Sequence, residues 1–214
     1  MEEKEQEVKD RILQATVELL RRERDVESVS MRKIAAEAGV AVSMLNYHYR
    51  SKEQLVNLAV RGFISSVITG SAPGQSNPPD SSAEQSDADP VERMRRHLKS
   101  AASFLAAHPG ISRVSILQDL KNGGQEDDNS SQTTSLVTRQ LREIRPEVDD
   151  EIRLELMARI QVAAVQNLFL RAPLYKEQLG LDFFQAEDRD RLMDFVIDTI
   201  LAVSYTHLTL PTKR

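Results

Sequence analysis

The sequence has 214 residues, room for one large domain or two small ones, and its 40% hydrophobic and 29% charged side chains are the balance of an ordinary globular chain. It has no cysteine, which removes disulfides and thiolate metal sites, and no apolar run of the ~18 residues that a membrane span needs. The net charge of −5 opposes nucleic acid only if charge is spread evenly, and residues 28–62 carry five basic side chains (Arg32, Lys33, Arg50, Lys52, Arg61) against two acidic ones (Glu37, Glu53). Screening limits distant charge to a reach of ~8 to 10 Å, so a basic patch on an acidic body keeps its attraction for phosphate.

The first residues, "MEEKEQEVKDR", are acidic and polar and read against a secretory leader; with the missing cysteines they lead us to expect a cytoplasmic protein. The histidines at 48, 97, 108 and 207 lack ligand-like spacing such as HxxxH, so neither a metal nor another cofactor is expected.

Helical periodicity governs almost every segment. Val8, Ile12, Ala15 and Leu19 form one apolar stripe. Met31, Ile34, Ala35 and Ala38 form a second, with Ser30 able to cap its start and Gly39 just past its end. A third segment runs from Ala41 to Tyr49. A fourth starts at Ser51, where Ser51-Lys52-Glu53-Gln54 has capping-box spacing, and Leu55, Leu58, Ala59 and Phe63 are its expected buried face.

Residues 70–90 are rich in Gly, Ser, Pro and Asp and are expected to be a mobile loop. Val91, Met94, Leu98, Ala101 and Leu105 resume the helical pattern, and "HPG" at 108–110 breaks it. Ile111, Val114, Leu117 and Leu120 start the next helix; "NGGQEDDNSSQ" at 122–132, with its solvated acidic run, is expected to be a second mobile loop. A helix follows to about Ile144, closed by Pro146.

Residues 148–171 make one long helix in which "IQVAAVQNLFL" (160–170) is apolar almost all round. A helix apolar on every side must be covered on every side, and a partner subunit is the economical cover. The last helix, 187–203, with Leu192, Phe195, Val196, Ile200 and Val203, is expected to share that interface. No strand candidate competes with these helices, and no internal repeat is seen, so the expected fold class is all-α. The final stretch, "VSYTHLTLPTKR", breaks the pattern and resembles a translated sequencing-adapter tail. Residues 204–214 are therefore read as non-native, with the natural C-terminus missing from about Val203 onward.

Helix, glycine-containing turn, helix is the helix-turn-helix arrangement, whose second helix enters the major groove. On a wheel of 100° per residue, Leu45 and Tyr49 share an inward face, Ser43 and Tyr47 point the opposite way, and Met44 and His48 flank them. The outward face thus offers a hydroxyl, a phenol, a thioether and an imidazole, groups suited to phosphate oxygens, base edges and the thymine methyl. Lys52 adds positive charge at the next helix start.

The pieces "ILQATVELL" and "SVSMRKIAAEAGVAVSMLNYHYRSKEQL", in this order, resemble the N-terminal domain of the TetR family of transcriptional regulators over the first ~60 residues. The remainder agrees with that family in being all-helical and of suitable length. The resemblance implies a three-helix DNA-binding head at 6–66 and a helical effector-binding and dimerisation domain at 67–203. It carries Ser30 over as a phosphate-contacting cap, Arg32 as a base or phosphate contact, and Val42 and Ser43 as contacts at the start of the recognition helix. Tyr47 and His48 fall against backbone or bases, and Lys52 against phosphate. Asn46 stands where the family most often has a phosphate-binding tyrosine, and Val42 where a polar or basic residue is common, so fewer bases are read by hydrogen bonds.

The resemblance further implies a homodimer on a palindromic double-stranded operator and release by a small-molecule effector, the behaviour of a repressor. The inner faces of the helices at 91–107, 111–121 and 148–171 carry few charges, so the effector pocket is expected to be apolar, lined by Phe104, Leu117, Met157 and Phe169. Two other classes stay open on the residues alone. One is a helical ligand-binding protein without operator binding; the other is a small all-helical enzyme. Catalytic motifs are wanting: Gly110-Ile-Ser-Arg-Val lacks the last glycine of GxSxG, and no P-loop, GxGxxG or HExxH occurs, so no catalytic residue is expected.

Overall fold

The computed structural model describes residues 2–23, 26–68, 89–122 and 129–202. Its regular elements are α-helices and one short 3-10 turn, with no strand among the described residues. The chain forms two compact units: Met1–Ser86 with His108–Gln125, and Asp87–Ala107 with Glu126–Arg214.

The first unit holds α1 (Glu2–Arg22), the 3-10 turn (Val26–Ser28), α2 (Met31–Ala38), α3 (Val42–His48), α4 (Lys52–Ile68) and α6 (Pro109–Asn122). Helix α1 is its centre, packed against α2, α4 and α6. Burial therefore spreads beyond the Ile12, Ala15 and Leu19 stripe to Thr16, Val17 and Leu20, and the Thr16 hydroxyl is satisfied by donating to the Ile12 carbonyl at 2.8 Å. Each fully buried aliphatic side chain here contributes about 1.5–3 kcal/mol.

Helix α4 lies against both α1 and α6, so two adjoining rows are buried, Leu55 with Ala59 and Val56 with Val60. Leu58, expected inside, is exposed because it falls off those rows.

Helix α6 departs further from expectation. Residues 108–125 belong to the first unit, although the sequence reading placed them with the second. The buried positions are Ile111, Ser112, Ser115 and Ile116, whereas Leu117 and Leu120 are exposed. The contacts that turn the helix this way begin at Gly110. A Cβ there would lie 2.4 Å from the Leu20 carbonyl oxygen and 3.1 Å from that of Glu23, so only glycine lets α6 start directly on the end of α1. Beside it the buried His108 ring packs edge-on against Phe63 at 5.2 Å, with the Arg21 guanidinium 5.9 Å from the Phe63 ring centre. Burial, then the nearby Arg21, hold the His108 imidazole below its ordinary pKa.

The second unit holds α5 (Pro90–Ala107), α7 (Asn129–Ile144), α8 (Glu151–Leu170), α9 (Ala172–Leu179) and α10 (Ala186–Ala202). Helices α7 and α8 form an antiparallel hairpin, braced by the Arg142–Glu151 ion pair near the turn and by Gln166 donating to the Ser130 hydroxyl at 2.8 Å. Asp150 caps α8, accepting from the Arg153 N–H at 3.2 Å.

Charged side chains tie α5 to α10. Arg95 reaches Asp194 at 2.8 Å and Asp198 at 3.0 Å, and Lys99 reaches Asp194 at 3.0 Å. Burial alone would raise the Asp194 carboxyl, yet the hydrogen bonds from Arg95 and Lys99 hold it below the ordinary carboxylate value.

Helix α9 was not anticipated from sequence. Pro173 sits in its first turn, and Gly180 closes it in the left-handed conformation at φ 69°. The chain then folds Phe183 into the core, edge-on to Phe169 at 5.7 Å.

The segments expected to be mobile loops lie largely outside the described residues. Within the described part, Pro90 already opens α5, Asn122 is still in α6, and residues 129–132 are the first turn of α7 rather than loop. The tail at 204–214 lies outside the described residues, and no described helix is long and apolar enough to cross a membrane.

Candidate nucleic-acid interface

Helix α2 is set by its two caps. Ser30 is extended (φ −114°, ψ 157°), and its hydroxyl accepts from the Lys33 N–H at 3.2 Å. Gly39 takes φ 65°, ψ 38°, the left-handed region that other residues avoid. Two turn bonds close the helix there, Gly39 N–H to the Ala36 carbonyl at 3.3 Å and Val40 N–H to the Ala35 carbonyl at 3.0 Å. That glycine turn aims the chain into α3.

Helix α3 is anchored by the side chains expected to hold it. Leu45 is fully buried and Tyr49, its C-cap, nearly so, with the Tyr49 N–H donating to the Leu45 carbonyl at 2.8 Å. Burial pushes the Tyr49 phenol up, so it stays neutral and packs as a core ring. Helix α4 begins immediately afterwards. The Ser51 hydroxyl accepts from the Gln54 N–H at 3.1 Å, and Gln54 Oε1 accepts from the Arg50 N–H at 2.9 Å, one residue before the position an ideal capping box uses.

This frame exposes Val42, Ser43, Met44, Asn46 and Tyr47 on α3, and Tyr47 stands out at 79% exposure. Ser30 and Arg32 are exposed at the start of α2, and Lys52 is half-buried in the first turn of α4. Lys33 is committed to Glu23 at 2.9 Å, and Arg22 to Glu37 at 2.5 Å. Hydrogen bonds from Lys33 and then Ser28 hold the Glu23 carboxyl below its ordinary value.

His48 departs from expectation. It was read as a flank of the outward face and a contact to backbone or bases. In the structure its side chain is only 4% exposed and turns towards α1, with Nδ1 3.9 Å from Glu5 Oε1. The ring lies edge-on to Tyr47 at 5.0 Å and to Tyr49 at 6.3 Å. The last turn of α3 is close enough to α1 to close over one more side chain than the wheel assigns to the core. Glu5 in turn pairs with Lys9 at 2.9 Å, which holds the carboxyl below and the ammonium above their ordinary values. Sequence reasoning missed Glu5 and Lys9. They are charged residues off the apolar stripe, and nothing in the pattern ties them to a helix some forty residues later.

The four side chains expected to line an effector pocket are divided between the two units. Met157 and Phe169 are buried in the second unit and Phe104 is half-buried there, while Leu117 is exposed on α6 in the first unit.

Residues 12–59, spanning α1 to the middle of α4, match the family described as "Bacterial regulatory proteins, tetR family". The chain carries the DNA-binding head of the TetR family. Its class is therefore that of the DNA-binding transcriptional regulators. The whole fold is similar to that of a transcriptional regulator from Rhodococcus sp. Rha1, at 18% identity and a TM-score of 0.59, covering 91% of this chain and 96% of that one. A TetR-like transcriptional regulator from Rhodococcus sp. RHA1 is similar at 21% identity and a TM-score of 0.54, with the same shares covered. No curated protein matches the sequence. In helix-turn-helix proteins the second helix of the pair is the one that lies in the major groove, and α2 and α3 follow one another here in that order.

Proposed function

We propose that the chain is an operator-binding repressor that acts as a homodimer in the cytoplasm and is released from DNA by a small molecule. The observation that carries the DNA reading is the exposed face of α3. Its hydroxyl, amide, phenol and two apolar side chains stand clear of the core on a helix anchored by Leu45 and Tyr49. Val42, Ser43, Asn46 and Tyr47 are assigned to base edges and nearby backbone; Ser30, Arg32 and Lys52 are assigned to phosphates. His48 is removed from the contact set because its side chain is covered.

The homodimer reading is supported by an uncovered apolar stripe on α8. Ile152, Leu156 and Ile160 follow one another at four-residue steps and are all exposed, the first at 72%; Phe195 on α10 is 71% exposed. Four large apolar side chains in the open are a surface that a second copy would cover, and two-fold symmetry would match a palindromic operator.

The effector reading is supported by one buried row on α8: Met157, Gln161, Val165 and Phe169. Gln161 is 1% exposed, and among the described residues its Oε1 meets no hydrogen-bond donor. A mainly apolar molecule carrying one N–H or O–H group is what such a row would hold, with Phe104 in the same unit. Such an effector must bind the DNA-incompetent state more tightly than the DNA-bound one. The proposal gives the chain no catalytic step.

The test is selection from randomised duplexes, alongside binding to the duplex upstream of the chain's own coding region, at two salt concentrations. Wild type should enrich a palindrome and lose affinity steeply with salt, and the Tyr47→Ala, Lys52→Ala double variant should bind at least about tenfold more weakly. Affinity that is flat with salt and no better than for random duplex would overturn the reading in favour of a helical ligand-binding protein.

A further inference from the structure

The covered side of α3 carries an arrangement that the DNA reading leaves unused. His48 closes the last turn of the helix. Its ring lies edge-on to both Tyr47 and Tyr49, and its Nδ1 is 3.9 Å from Oε1 of Glu5 in the first turn of α1. Tyr49 is a core side chain, whereas Tyr47, 79% exposed, is the most open of the large hydrophobic side chains described in the head. The His48 ring thus packs edge-on against the open Tyr47 phenol ring and links it to the body of the head. An edge-on packed neighbour narrows the rotamers of a ring that has solvent on its other sides. Glu5 is in turn steadied by Lys9, one helical turn along at 2.9 Å.

We infer that His48 and Glu5 are positioning residues for DNA recognition: Glu5 orients the His48 ring, and the ring holds Tyr47 in the orientation that meets the operator. The inference rests on the operator-binding reading above. It also makes an acidic side chain favourable to DNA binding, which is the opposite of what charge alone would do. Removing an acid from a DNA-binding head, and freeing its lysine partner, should by general electrostatics strengthen binding to a polyanion. Positioning predicts the reverse sign.

The experiment is operator binding by wild type, Glu5→Gln, His48→Gln and the double variant, each across a salt series, with backbone amide resonances of the DNA-free proteins recorded in parallel. Glu5→Gln should weaken operator binding by at least about fivefold, the lower end of one lost base-edge contact. The double variant should be little worse than either single one, as expected of residues that act through one contact. The slope of affinity against salt should stay that of wild type in His48→Gln; a histidine gripping a phosphate as a cation would instead lose ~0.9 of the slope. Without DNA, the amide resonances of residues 45–49 should move in Glu5→Gln.

Unchanged or tighter binding by Glu5→Gln, or a salt slope reduced in His48→Gln, would overturn the inference while leaving operator binding intact. Unmoved resonances at residues 45–49 in Glu5→Gln would overturn it even if no operator is found, which separates its failure from that of the repressor reading.

Discussion

In the first unit, α1 is buried over most of its circumference, and the side chains left open on α3 are a mixed set, from valine to tyrosine. In the second unit, α8 buries Met157, Gln161, Val165 and Phe169 along one row while Ile152, Leu156 and Ile160 stay open along another. Both surfaces are exposed helix faces with apolar members, but their chemistry differs. A face that mixes a phenol, a hydroxyl and an amide with small apolar groups suits a partner that offers hydrogen-bonding edges and methyl groups. A face of leucine, isoleucine and phenylalanine offers nothing but apolar area, and only another apolar surface repays covering it. The polar side chains of the two units follow the same division. In the first unit they cap and brace short helices, Ser30 on α2 and Ser51 on α4, so that a small helix can be aimed. In the second unit Arg95 and Lys99 cross from α5 to α10 and brace the long helices side by side.

The contrast can be broken by experiment, and the largest effect is expected at the anchor of α3. Leu45→Ala removes a fully buried side chain and should cost about 2–5 kcal/mol in a urea melt, with operator binding lost. Sedimentation should still find the dimer, because the stripe on α8 belongs to the other unit. If that variant is monomeric, the two surfaces are not separate in function.

The next effect is expected on α8 and α10. Leu156→Asp with Phe195→Asp should raise the dimer dissociation constant at least ~30-fold, since central apolar anchors each contribute about 2 kcal/mol or more. Far-ultraviolet circular dichroism should be unchanged, as both side chains are already exposed in the single chain. A dimer of undiminished strength would remove α8 from the interface.

A smaller effect is expected at the contact of α6 with α1. Gly110→Ala places a methyl group 2.4 Å from a backbone carbonyl oxygen that cannot step aside alone. It should lower stability by about 1–3 kcal/mol, read by urea denaturation. A neutral result would mean that α6 lifts from α1 without cost, so that the first unit ends in practice at α4.

Much of the head was legible in the sequence because its signals are local. Ser30 and Gly39 bracket α2 within ten residues, and the caps seen in the structure are the ones their chemistry demands. Leu45 and Tyr49 were placed inward by a four-residue step alone, and both are buried. The orientation of α6 was not legible. Ile111, Val114, Leu117 and Leu120 form as good a stripe as Ile111, Ser112, Ser115 and Ile116, and apolarity favours the wrong one. Helix α9 was missed because "RAPLYKEQL" has no sustained apolar stripe; the proline in its first turn and the glycine after its end were its only signals.

By itself the sequence determined that this is an all-helical chain with a glycine-turned helix pair near its start, and which face of the short third helix goes inward. These follow from periods and caps spanning a few residues, where backbone geometry leaves few alternatives. The tertiary structure decided what distant helices do to one another. It assigned α6 to the first unit, left Leu58, Leu117 and Leu120 in the open, and covered His48 by bringing Glu5 of α1 alongside it. The physical reason is that burial depends on how many neighbours a helix acquires. A helix touched on two sides buries two rows, and no periodicity within one helix records which side its neighbours will take.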